Sequence, residues 1–312
     1  MLDVKRLRVL REVAAQGSFS GAAESLAYTQ SAISQQIAAL EREAGTKLVE
    51  RSARAVRLTE AGEALVGHAD AILARLQAAE RDLEAIAGLR GGRVRVVAFP
   101  SAGASLMPMA VAAFRERHPG VELILEPREP DEALVALKAG EADVAVTLEA
   151  GFAPIEDEAI ETVHLLDDPM FVALPGDHPM AAKARLRLED LQGEAWIQGT
   201  SRATCPDTRI FLRTCAACGF EPRMAFQSDD YAAIQGFIAA GVGVALIPDL
   251  ALTTPRDDIA IRTLVGVAPR RRVLAATLAG SARGPATQAM VAILEEVGRG
   301  WQASRHDLQL AS

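Results

Sequence analysis

Between Thr59 and Ala87 the chain carries a proline-free helical pattern of about 28 residues, and this run constrains the rest more than any other. Thr59 can cap it, Glu60 and Glu63 fall in its first turn, and Gly88, Gly91 and Gly92 stop it. Leu65, Ile72, Leu76, Leu83 and Ile86 recur close to a heptad seam, with Ala69 and Ala79 in the gaps. A helix of that length reaches about 40 Å and is not stable alone in water. It needs a partner, and the economical one is its own copy. It also divides the chain, because the pattern before it is helical and the pattern after it alternates strands with helices.

Upstream, Leu2, Val4, Leu7, Leu10 and Val13-Ala14 put an apolar stripe along a first helix that ends near Gly17. Arg6, Arg8 and Arg11 fall on its exposed side as solubilising charges. Ser20 can cap a short alanine-rich helix from Gly21 to Ala27, with Glu24 in its opening turn. Thr29 caps the next, whose Ile33, Ile37 and Leu40 fall at helical spacing and whose other face carries Ser31, Ser34, Gln35 and Ala38. Two short helices about three residues apart, the second apolar on one side and rich in hydroxyls and amides on the other, suit a helix-turn-helix. Small side chains let the second helix enter the major groove, where Gln and Ser bond base edges or phosphates. The segment from Gly45 to Leu58 then alternates well enough for a two-stranded wing, with Arg51 and Arg54 at its tip.

At these residues a specific resemblance appears. It is carried by the run from Gly17 to Leu26, by Thr29-Gln-Ser-Ala-Ile-Ser-Gln-Gln-Ile, by Leu40-Glu, Gly45-Thr-Lys-Leu and Glu50-Arg, and by Arg57-Leu-Thr-Glu-Ala-Gly. Together, in that order, they resemble the N-terminal domain of LysR-type transcriptional regulators. Gln35 stands where many members have arginine, which leaves base preference open, and Val49 where most have phenylalanine, which alters wing packing. The resemblance implies sequence-specific binding of double-stranded DNA at an interrupted palindrome. Thr29, Gln30, Ser31, Ser34 and Gln35 would face the major groove, and Arg51 and Arg54 would hold the backbone or the minor groove beside it. It also implies that the long helix joins two copies, and that two such dimers combine into a tetramer.

The net charge of −8 looks wrong for a DNA binder until its distribution is considered. Residues 1–60 hold nine Lys/Arg against seven Asp/Glu, which leaves 24 against 34 for the remainder. The acidic part repels a phosphate backbone, so contact is confined to the N-terminal face.

With 312 residues the chain has room for a second, larger domain. Strands are expected at Val94–Phe99, Val121–Glu126 and Val144–Leu148, with helices at Ser105–His118 and Asp131–Ala139 between them. This βαβαβ series implies a parallel sheet. A second set follows: Val163–Leu174, Trp196-Ile197, a helix over Asp207–Ala217, Met224–Phe226, a helix over Tyr231–Ala240, and Val244–Ile247. Val273–Leu278 and a helix over Ala286–Arg299 return to the first lobe, and residues after about Trp301 read as a frayed tail. The expected architecture is an all-α winged helix-turn-helix at 1–58, a linker helix at 59–90, and an α/β two-lobe domain at 91–312 of the periplasmic-binding-protein kind. Lobe I takes about 91–161 and 267–300, lobe II about 162–266.

In open α/β sheets, ligands bind beyond the carboxyl ends of strands, where helix starts point N–H groups into a crevice. Three stretches have that position: Pro100-Ser101-Ala102-Gly103-Ala104, Gln198-Gly199-Thr200-Ser201 with Arg202, and Gln227-Ser228-Asp229. In the regulators it resembles, the crevice binds a small effector, often an anion, and Ser101, Thr200 and Ser201 match positions of hydroxyl contacts there. Arg128 and Arg202 could neutralise a carboxylate.

Other functions find little support. The histidines, His68, His118, His164, His178 and His306, have no metal-ligand spacing, and no G-x-S-x-G or P-loop occurs, so no catalysis, metal or cofactor is expected. The N-terminus lacks an apolar signal region and no apolar run is long enough to span a bilayer, so a cytoplasmic protein away from membranes is expected. Cys205, Cys215 and Cys218 form no disulfide framework, which agrees with that compartment. They do lie where peroxide-sensing members of the same family carry a reactive pair. A thiol-based redox regulator using Cys205 with Cys215 or Cys218 is therefore the alternative reading.

Overall fold

The computed structural model of the chain describes residues 1–51, 56–86, 92–150, 154–199, 206–266, 269–279 and 284–310. They form two compact units, made chiefly of residues 1–89 and 90–312.

The first unit begins with helix α1 (Val4–Gln16), capped by the Asp3 side chain on the Lys5 N–H and closed by Gly17 at φ 61°, the left-handed conformation glycine adopts without strain. Its buried stripe is Leu7, Val9, Leu10 and Val13, whereas Leu2 and Val4 are exposed. The stripe therefore starts a turn later than the apolar residues suggest. Helix α2 (Phe19–Ser25) is capped by Ser18, not Ser20: its hydroxyl accepts from the Gly21 N–H. Starting two residues early buries Phe19 against the core, which a cap at Ser20 would leave in the entering loop. After α2 the chain turns through Ala27 at φ 54°, with the Tyr28 N–H donating to the Ala23 carbonyl at 2.8 Å. Helix α3 (Gln30–Ala44) follows, capped by Thr29 on the Ala32 N–H and ended by Gly45.

Ile33, Ile37 and Leu40 of α3 meet the α1 stripe, Phe19 and Leu48 in one core. Each such side chain contributes roughly 1.5–3 kcal/mol on full burial. Arg6 ties α1 to α3 through Gln36 and Glu43. It is a bracing charge rather than only a solubilising one.

Strands β1 (Val49–Arg51) and β2 (Val56–Leu58) pair antiparallel, Val49 opposite Leu58 and Arg51 opposite Val56. Glu41 fixes where they begin: its carboxylate accepts from the Leu48 N–H at 3.0 Å and from Lys47 Nζ at 2.8 Å. Burial opposes its charge, but these donors outweigh burial and lower its pKa. The far end is held by Val56, whose N–H donates to the Gly17 carbonyl at 3.0 Å. Helix α4 (Glu60–Ile86) then starts from Thr59, whose hydroxyl donates to the Lys47 carbonyl and accepts from the Gly62 N–H. Ala69 of α4 joins the core, while Ile72, Leu76 and Leu83 lie exposed.

In the second unit, β3 (Arg93–Ala98), β4 (Glu122–Pro127) and β5 (Val144–Ala150) are parallel, as the βαβ pattern requires. Their connections carry α5 (Pro100–Ala104), α6 (Leu106–Arg117) and α7 (Pro130–Lys138). Strand β6 (Ile160–Pro175) runs 16 residues without a break. Beyond it come β7 (Arg185–Leu186), β8 (Ala195–Gln198), helix α8 (Pro206–Ala217), β9 (Arg223–Gln227), helix α9 (Tyr231–Ala239), β10 (Ala245–Pro248), β11 (Ile259–Leu264), β12 (Arg270–Leu278) and helix α10 (Pro285–Leu310).

The first half of β6 pairs with β12, which pairs with β5, closing one sheet in the order β4-β3-β5-β12-β6. Met107 and Phe114 of α6 and Met290 and Leu294 of α10 cover one face of it, Ala133 and Leu137 of α7 the other. From Met170 onward β6 pairs with β10 and β11, and a second lobe gathers there around Trp196, Phe211 and Leu246 on one side and Ile197, Ile234 and Ile247 on the other. Helix α10 does not fray after Trp301. The indole N–H of Trp301 donates to Asp249 Oδ2 at 3.1 Å, and Arg305 pairs with the same carboxylate from above the ring. A buried acceptor at Asp249 gives those last turns their anchor.

Candidate functional site

The residues singled out in the sequence fall chiefly in two places. In the first unit, Ile33, Ile37 and Leu40 turn one side of α3 into the core. That burial leaves Gln30, Ser31, Gln35 and Ala38 exposed on the opposite side, with Ser34 half-buried beside them. Thr29 stands at the head of this stripe, its Oγ1 3.0 Å from Ser31 Oγ. Residues 31, 34, 35 and 38 share one helical face, and three of the four are small. Arg51 lies at the end of β1, while Arg54 lies outside the described residues.

In the second unit a cavity of ≈ 50 Å³ opens between the lobes, lined by Ser101 at the start of α5, Gln198 at the end of β8, and Ser228 before α9, among others. Three of the strand-end stretches picked out in the sequence thus converge. Gln227 of β9 and Ala102 and Gly103 of α5 support those loops without lining the cavity. Arg128 is exposed and pairs with Glu126 at 3.1 Å, away from the cavity wall. Thr200, Ser201, Arg202 and Cys205 lie outside the described residues.

The charged centre of the cavity is Arg271, only 1% exposed. Its Nε donates to Asp168 Oδ2 at 2.9 Å, and one terminal nitrogen donates both to that carboxylate and to Ser101 Oγ. The other donates to Asp207 Oδ2 at 2.9 Å, which also accepts from the Tyr231 hydroxyl at 2.7 Å. The Phe99 ring lies under the guanidinium, 5.2 Å from its centroid. Burial works against the Arg271 charge, but two carboxylates outweigh it and hold the group protonated. Asp168 is the weaker partner: burial raises its carboxyl to about 6 despite Arg271 and the Leu250 N–H. One guanidinium shared between buried Asp168 and half-buried Asp207 leaves Asp168 partly uncompensated.

Arg271, Asp168, Asp207 and Tyr231 were not singled out by sequence. The one available signal was Pro269-Arg270-Arg271-Arg272 at a strand start, where alternation sends Arg271 to the face opposite its neighbours. Of the cysteines, Cys215 is buried in the second lobe's core, where burial pushes its thiol up to about 12, and burial also raises Cys218. Among the described residues no His/Cys/Asp/Glu group could hold a metal ion, and no helix is long and apolar enough to cross a membrane.

Comparison with known proteins matches both parts of the chain. Residues 4–63 match the family described as bacterial regulatory helix-turn-helix protein, lysR family, and residues 87–299 match the LysR substrate binding domain. The chain is 30% identical over 285 residues to the transcriptional dual regulator GltC of Bacillus subtilis (strain 168), covering 88% of this chain and 93% of that protein. It is 34% identical over 247 residues to the HTH-type transcriptional regulator ShiR of Corynebacterium glutamicum (strain R), covering 78% and 82%. Among solved structures, a full-length OxyR variant of Pseudomonas aeruginosa aligns with TM-score 0.69 and 26% identity over 96% of this chain and 95% of that one. Full-length CbnR complexed with its target DNA aligns with TM-score 0.62 at 22% identity, covering 95% and 100%, and shares the fold. With both of its parts matched in order, this chain belongs to the LysR family of DNA-binding transcriptional regulators.

Proposed function

We propose that residues 1–58 read an interrupted palindrome as part of a homodimer, that residues 59–90 hold that dimer together, and that residues 91–312 bind a small effector in the cavity around Arg271. The observation that carries the DNA part is the small, polar face of α3, left exposed by burial of the opposite face. Gln30, Ser31, Ser34 and Gln35 read base edges, Thr29 positions the helix, and Arg51 and Arg54 hold phosphates or the minor groove. The dimer is supported by Ile72, Leu76 and Leu83, exposed by 42%, 45% and 66% at heptad spacing on α4. Two dimers then combine through the second units. Footprinting tests the reading: protection that is not an interrupted palindrome, or full binding by an Arg51→Ala/Arg54→Ala double variant, is incompatible with it.

The effector part is supported by Ser101, Gln198 and Ser228 meeting around one small cavity. Thr200, Ser201 and Arg202 contact the ligand in this proposal, with Ala102, Gly103 and Gln227 shaping the loops and Arg128 outside. A ligand that raises the melting temperature equally in the wild type, Ser101→Ala and Thr200→Ala binds somewhere else. An anion was the expectation from the helix starts, the hydroxyls, Arg128, Arg202 and the family resemblance; the carboxylates around Arg271 do not favour one. The thiol alternative rests on Cys205, which lies outside the described residues, bridging to Cys215 or Cys218; burial raises the thiols of those two partners.

A further inference from the structure

The polar atoms that the cavity leaves unmatched are acceptors. Gln198 is 5% exposed, and its Oε1 has no hydrogen-bond partner among the described residues. The same holds for Asp207 Oδ1, whose other oxygen already takes Arg271 and Tyr231. A carboxylate oxygen can only accept. A buried acceptor is stable only when a donor meets it, so among the described residues these two oxygens still await a donor.

Arg271 cannot serve an incoming anion. Four of its five N–H groups are directed to Asp168, Asp207 and Ser101. That leaves at most one donor, too few for a two-pronged grip on a carboxylate. Its charge is already opposed by Asp168 and Asp207, two carboxylates against one guanidinium. Helix starts favour an anion by partial charges, which full carboxylate charges at the same distance override.

Resting on the reading of this cavity as the effector site, we infer that its ligand carries a protonated nitrogen, an ammonium or amidinium group, which donates to Asp207 Oδ1 and Gln198 Oε1. Aliphatic carbon of the ligand lies against Phe99, Leu148, Ile197 and Leu246, which line the same cavity. At ≈ 50 Å³ the space admits a head group of few heavy atoms.

The test uses full-length protein and isothermal titration with methylammonium, ethanolammonium, putrescine and acetamidinium, matched against acetate and succinate. The expected result is binding by at least one of the nitrogen probes, tightened about tenfold by Gln198→Glu, which turns a neutral acceptor into a charged one of the same shape. Gln198→Leu, which removes the acceptor, weakens the same probe, and circular dichroism checks that both variants are folded. If carboxylates bind instead, and Gln198→Glu weakens them, the cavity is the effector site but the inference about charge is wrong. If neither variant changes the affinity of any probe, or no nitrogen probe binds, the inference fails. In the first of those cases the assignment of the cavity fails with it.

Discussion

Leu48 and Gly62 meet so closely that the carbonyl of the first fills the space a side chain on the second would need: a Cβ at position 62 would lie 2.1 Å from the Leu48 oxygen. The contact joins the base of the wing to the first turn of α4. Gly62→Ala must push the two apart, at a cost of about 1–3 kcal/mol, as for other overpacked sites. Urea denaturation reads this directly, and an unchanged midpoint would mean the wing moves aside without strain. Because the wing shifts with its base, DNA affinity should fall as well.

Substitutions on the proposed DNA face should separate into two kinds. Gln35→Ala relaxes preference at one base step while leaving other positions of the operator unaffected. Arg51→Ala weakens all sequences alike and lowers the salt dependence of binding by about one counterion. Binding to a panel of single-step operator variants at two salt concentrations distinguishes them. A uniform loss on Gln35→Ala would remove that residue from base reading.

Leu76→Glu should dissociate the dimer. It removes burial worth about 2 kcal/mol and places an unpaired charge in the seam. Sedimentation of a fragment of residues 1–90 should then give the mass of one chain. A variant fragment that stays dimeric would give the exposed stripe of α4 some other role.

Asp168 should titrate near pH 6, because burial raises its carboxyl to about that value from an ordinary 3.8. The sign follows from linkage. A carboxyl whose folded pKa is raised contributes stability that is fully present below about pH 4 and lost as pH rises through about 6, up to about 3 kcal/mol. Asp168→Asn lacks this dependence, so its stability relative to the wild type improves as pH rises across that window. A carbon-13 titration of the Asp168 carboxyl with a midpoint near 4 would show Arg271 compensating it fully.

Cys215 should resist alkylation in the folded protein at pH 8. With its thiol pushed up to about 12 by burial, chiefly, and by Cys218 beside it, almost no thiolate is present to react. Mass spectrometry after iodoacetamide should find it labelled only on unfolding. Rapid modification, or a bridge from Cys205 after mild peroxide, would support the redox reading.

How far the sequence could be read depended on how local each determinant was. Helices α1, α3 and α4 were visible because their caps and stripes lie within the helix itself. Ser18 was missed because Ser20 is an equally good capping residue, and burial of Phe19 decides between them. Strand β11 was passed over although Pro255-Arg-Asp-Asp and Gly266 flank it, since Ile259-Ala-Ile-Arg-Thr-Leu does not alternate. Ser101, Gln198 and Ser228 were legible as loops after strands. Arg271 was not, because it reaches Ser101 across 170 positions, a distance only topology closes. Asp207 was not legible either, because no spacing reveals its place on the cavity wall.

Strand β6 serves two sheets at once, its first half paired to β12 and its second to β10 and β11. Neither lobe therefore owns it. A nick or a proline near Asp168 would deprive the first lobe's sheet of its edge strand and the second lobe's of the strand between β10 and β11 in a single event, so loss of either lobe destabilises the other. Nor can they turn against each other like parts on a loose tether: any rotation has to be absorbed as elastic bending of this shared beam, which would return the lobes to their resting angle once the bending force is gone.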